Sequence, residues 1–124
     1  MSTLNVRDGP ALENMESHMA WVILIFAGLL EVVWAFFMKE SHGFTRLTPS
    51  VITIIAMIAS FTLLAVAMKN LPLGTAYTIW TGIGAVGSFV LGIIILGEAI
   101  SVARITAALL IVSGLVLMKL SSGS

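Results

Sequence analysis

MAWVILIFAGLLEVVWAFFM, residues 19–38, carries one ionisable side chain, Glu31, in an otherwise apolar run. A bilayer core about 30 Å thick is crossed by roughly 20 apolar residues in a helix. The stretch therefore reads as a membrane span with an acid near its middle. The chain supplies that length three more times: Pro49 to Met68, Gly74 to Leu96 with five glycines, and Val102 to Leu120. Polar segments divide these runs: Lys39 to Gly43 with Arg46, then Lys69-Asn70-Leu71-Pro72, then Gly97-Glu98. Pro49 suits the first turn of its helix, where a missing N–H costs nothing. The expected fold is all-α, with four transmembrane helices at about 19–38, 49–68, 74–96 and 102–120.

Composition points the same way. The chain is 59% hydrophobic and 10% charged, with a mean hydropathy of +1.11, whereas soluble domains are about a quarter charged. A soluble enzyme is excluded on that ground. There is no cysteine, hence no disulfide framework or thiolate site, and two histidines in polar flanks argue against a metal centre. The net charge is zero with no basic cluster, so the electrostatic footprint of nucleic-acid binding is missing. No nucleophile, base and orienter stand at spacings that suggest a membrane enzyme.

Residues 1–18 are polar, contain Gly9-Pro10, and lack the apolar core of a signal peptide. Ser17-His18-Met19 is also what a common cloning junction encodes. We read Met19 as the natural start, 1–18 as a vector-derived or disordered leader, 19–121 as the membrane domain, and 122–124 as a tail. Four spans put both termini on one face. Lys69 and Lys119 then share that face, while Lys39, Arg46 and Arg104 lie opposite. Orientation follows such asymmetry, and a difference of one residue permits insertion in both orientations as well as a fixed one.

Glu31 stands alone away from the span ends. A charged acid at the centre of a bilayer costs at least about 2.5 kcal/mol. Permanently protonated, it would serve only as hydrogen-bonding glue between helices. As an exchanging group it would take either a proton or a cation, and that competition is the minimum requirement of antiport. At helical spacing its neighbours are Ala27, Gly28, Trp34 and Ala35. The small residues leave room for a ligand, and Trp34 offers an indole N–H and a face for a planar cation, although membrane tryptophans often simply pack. Trp21, at the span's start, reads as such an interfacial tryptophan.

On the third span Tyr77, Trp80 and Gly84 fall along one stripe, either facing the same cavity or merely packing. Ser60, mid-way along the second, is a possible hydrogen-bond partner or a serine bonded to its own backbone. Gly82, Gly84 and Gly87 permit close helix approach or a bend. Ala107 and Gly114, seven apart beside Ser113 on the fourth span, suggest a dimerisation arm.

From Met19 onward the chain resembles the small multidrug resistance family, and within it the guanidinium exporter subtype. The resemblance rests on three stretches: Gly28-Leu29-Leu30-Glu31-Val32-Val33-Trp34-Ala35, Ser41-His42-Gly43-Phe44-Thr45-Arg46-Leu47 with Pro49-Ser50, and residues 72–84, PLGTAYTIWTGIG. Trp34 carries the subtype, because the drug-exporting branch has a glycine followed by threonines after its glutamate. The resemblance implies an antiparallel homodimer of dual topology in the bacterial inner membrane. Two copies of Glu31 would face one cavity, exchanging external protons for an internal cation, with no other cofactor. Position by position, it implies that Ser60 and Trp34 hydrogen-bond Glu31, that Trp80 joins them, and that Tyr77 responds to cavity opening. Gly82 and Gly84 would mark a bend, and Ala107 with Gly114 the dimer contact. The implied partners are guanidinium-type cations and lipid.

Phe36-Phe37-Met38 and Ser88-Phe89 are bulkier than the family pattern. Phe36 lies five residues beyond Glu31, off the cavity stripe, but bulk at helix edges would alter a lateral opening. The alternatives are thus a polyspecific exporter of quaternary ammonium or aromatic cations, and a non-transporting structural subunit.

Overall fold

The computed structural model describes residues 9–121, with side chains from Met15 onward. The order is α1 (Gly9–Glu40), α2 (Leu47–Ala67), α3 (Leu73–Ile94) and α4 (Val102–Ser121). All four are long and apolar enough to cross a bilayer. The α1 helix starts at Gly9, not Met19. Gly9-Pro10 is the helix's first step, the position where proline's missing N–H is harmless. Residues 9–18 of the expected leader are helical, while 1–8 and the tail 122–124 lie outside the described residues.

The helix ends follow local chemistry. Pro49 falls in the first turn of α2, and Pro72 is the N-cap of α3 in extended backbone. Gly97 adopts φ +67°, the left-handed region that glycine enters freely. That turn brings the Glu98 N–H back to the Gly92 carbonyl at 3.0 Å, and α3 ends at Ile94, two residues short of the expected end of the third span. Ser101 caps α4 by accepting from the Arg104 N–H at 3.1 Å. Between α1 and α2, buried Ser41 donates to the Met38 carbonyl at 2.7 Å and accepts from the Phe44 N–H at 3.0 Å. His42, Gly43 and Phe44 all have positive φ there.

The α1 helix packs along both α2 and α3, and the backbone of α4 runs close to that of α3 alone. Much of the contact uses small side chains: Ala20 and Ala27 from α1, Ala67 from α2 and Ala76 from α3 are buried, around Leu24, Leu64, Ile79 and Trp80. In lipid, helices gain nothing by hiding leucine from an equally apolar solvent, so close van der Waals approach carries association. Isoleucine and leucine accordingly point outward along every helix. None of the residues of α4 is buried.

The glycines of α3 are seats for partner side chains. A Cβ at Gly82 would collide with Leu115, one at Gly84 with the Glu31 carboxyl, and one at Gly87 with Val32. The helix runs unbroken through all three. Gly28 does the same from α1: a Cβ there would stand 2.7 Å from Ile83 Cγ2. It is a crossing point with α3. Trp21 is buried, not merely interfacial, and the Lys119 ammonium lies 4.5 Å over its ring. Phe36 packs edge-on against Phe37 at 5.2 Å.

Candidate functional site

Glu31 lies in α1 opposite Gly84 of α3, with its carboxyl in the space a Cβ of residue 84 would take. Half-buried, it keeps one oxygen, Oε1, shielded without a hydrogen-bond partner among the described residues. One turn on, Trp34 is partly buried against the core, and its indole N–H is likewise shielded and unpartnered. The bond from Trp34 to Glu31 implied by the family resemblance is thus not formed within one protomer. Buried polar groups are nearly always satisfied, so two orphaned groups one turn apart mark an unfinished polar site.

Ser60 does not reach Glu31 either, nor does it bond its own helix. It donates across to the Ala27 carbonyl of α1 at 2.7 Å and accepts from the Trp80 indole N–H of α3 at 3.0 Å. One hydroxyl thereby joins three helices on the turn of α1 preceding the acid. The bond fixes the Trp80 ring, which is buried.

Around that ring the aromatics form a row. Tyr77 lies 5.5 Å from Trp80, Trp80 lies 5.6 Å from Phe61, and Phe61 meets Trp34 edge-on at 6.2 Å. These separations are those of favourable ring pairs. Phe61 is the member that sequence reasoning missed. Its only signal was its place next to Ser60, and one more phenylalanine in an apolar helix carries no mark. Tyr77, at the row's outer end, is half-exposed and lines a groove of about 500 Å³ between α3 and α4 together with Gly82 and Gly114. Ala107 and Gly114 are exposed, and a Cβ added at Gly114 would meet open space.

Among the described residues no cluster of three or more His, Cys, Asp or Glu could hold a metal ion. The chemistry available is that of one carboxyl in a largely apolar bundle, a fixed indole, a second indole with a free N–H, and a phenol. Such a set has the chemistry to take a proton or a small cation.

Four helices able to span a bilayer, the first with an acid seated against the third, define a multi-pass membrane protein. The family model described as Small Multidrug Resistance protein matches residues 19–112, and the chain belongs to that family. It is 62% identical over 104 residues to the guanidinium exporter of Yersinia pseudotuberculosis serotype I (strain IP32953), covering 84% of this chain and 100% of the relative. To that of Escherichia coli (strain K12) it is 60% identical, and to that of Citrobacter freundii 59%, each over 84% of this chain and 99% of the relative.

Proposed function

We propose that this protein is a proton-coupled antiporter that exports guanidinium and small guanidinyl cations across the bacterial inner membrane, working as an antiparallel homodimer. The observation that carries the reading is the Glu31 carboxyl: central in its span, seated against Gly84, and with a shielded oxygen that no group among the described residues satisfies. A guanidinium ion offers planar N–H donors matched to a carboxylate, and the aromatic row beside it suits a flat cation. The relatives named guanidinium exporters support this choice of substrate.

A proton and a cation cannot both neutralise one carboxylate. Entry of protons from outside releases the cation there, and loss of protons inside restores the site. No cofactor is needed beyond the coupling proton. Incompleteness supports the dimer: no residue of α4 is buried in the protomer, and among the described residues Glu31 Oε1 and the Trp34 N–H have no hydrogen-bond partner. A second copy would enclose the two acids in one cavity, with α4 at the contact through Ala107 and Gly114. The near balance of Lys and Arg across the two faces suits insertion in both orientations.

The test is flux in proteoliposomes under an imposed pH gradient. Guanidinium is expected to move against the proton flow in wild-type vesicles, with Glu31→Gln at the protein-free background. Wild-type rates in Glu31→Gln would remove the mechanism.

A further inference from the structure

We propose that the end of the bundle where α1, α3 and α4 meet is a binding site for a phospholipid headgroup carrying both a phosphate and a primary ammonium. A cavity of about 350 Å³ opens there, lined by Lys39, Glu98 and Arg104, with Ser88, Phe36 and Phe89 among its other walls. The three charged residues come from three places: the C-terminal turn of α1, the loop after α3 and the first turn of α4. Among the described residues no ion pair joins them, so two cations and one anion surround a shared space without neutralising one another.

Each charge is held at that space. The Arg104 guanidinium lies 5.9 Å over the Phe89 ring, and its Nη1 donates to the Ala99 carbonyl at 3.4 Å. That leaves most of its five donors unused. It also stands at the positive end of the α4 dipole, in a first turn with no acidic residue, which an anion would stabilise. Lys39 is exposed at the rim. The Glu98 carboxylate folds back over α3, filling the place a Cβ of Gly92 would take.

The cavity's chemistry selects its occupant. A phosphate between Lys39 and Arg104 receives charge-assisted hydrogen bonds, and a neighbouring ammonium meets Glu98. Phe36 and Phe89 supply apolar wall below the charges, which suits the start of an acyl chain and gives free phosphate nothing to bind. All three charged groups lie at span ends or in the loop between spans, so they lie at headgroup depth. The bulky Phe36 and Phe89 line this cavity, whose walls do not include Glu31. The site stands independently of the transport reading.

The test is native mass spectrometry of the purified full-length protein with phosphatidylethanolamine, phosphatidylglycerol, phosphatidylcholine or inorganic phosphate added at equal concentration. The ethanolamine lipid is expected to give the strongest adduct. Lys39→Gln and Arg104→Gln should each weaken it about tenfold or more, the loss expected of one charge-assisted hydrogen bond. Glu98→Gln should weaken the ethanolamine adduct while sparing that of the glycerol lipid. Lys69→Gln, at the opposite end of the bundle, should change nothing, and circular dichroism of each variant checks that the helices persist. The proposal is overturned by an unchanged ethanolamine adduct in correctly folded Lys39→Gln and Arg104→Gln. Choline lipid bound as tightly as ethanolamine lipid would overturn it too, as would inorganic phosphate competing away the lipid at equal concentration.

Discussion

The Glu31 carboxyl occupies the volume that a side chain at Gly84 would need. Acid and glycine are therefore one structural unit: α3 can approach α1 at the depth of the site only because residue 84 stops at its Cα, and that approach walls the carboxyl on one side.

Replacement of Gly84 by alanine forces a methyl group into Glu31, with even Cγ only 2.8 Å away. Overpacking of this kind costs typically about 1–3 kcal/mol. Gly84→Ala is expected to lower the unfolding midpoint in detergent titration and to abolish flux. Shortening the acid should return part of the stability, so the cycle of Gly84→Ala with Glu31→Asp should show a favourable coupling of about 0.5–3 kcal/mol. Additive losses would mean that the two residues do not share the space.

Ser60→Ala and Trp80→Phe separate the two bonds of the serine. Trp80→Phe removes one donor and leaves Ser60 still bonded to Ala27. Ser60→Ala strands the buried indole N–H, a penalty of about 1–3 kcal/mol. We expect Ser60→Ala to be the more destabilising in the same titration, and to raise the guanidinium KM by loosening the Trp80 ring.

Proton and guanidinium compete for Glu31 in the proposed cycle, which determines the sign of its pH dependence. Raising pH removes the competing proton and tightens cation binding, by up to about tenfold per pH unit for each proton released. Lowering pH expels the cation. Isothermal titration across several pH values should show this trend in the wild type, and buffers of different ionisation enthalpy should reveal proton release. In Glu31→Gln both signals should vanish.

Gly114→Leu tests the role of α4. A Cβ there would meet open space, so the fold should tolerate the substitution and circular dichroism should be unchanged. If α4 forms the dimer contact, cross-linking should shift from dimer to monomer and flux should disappear with it. Gly82→Leu is the contrast: it collides with Leu115 inside the protomer and should damage the fold itself.

The number of spans and the position of the acid were legible in residues 19–38 and the three later runs, because hydrocarbon imposes a length on every helix and a penalty on every charge. Those rules act on each residue alone and so are written into the linear chain. Which side chains meet was not written there. Ser60 could have bonded its own helix, Gly28 could have walled a cavity, and Phe61 looked like any other apolar residue. Lipid is as apolar as leucine, so these spans have no hydrophobic stripe to betray which side faces inward. Close packing at Gly28, Gly82, Gly84 and Gly87 sets how α1, α3 and α4 meet. Only the assembled bundle shows that Ser60 ties three helices together, or that Phe61 joins Trp34 to Trp80.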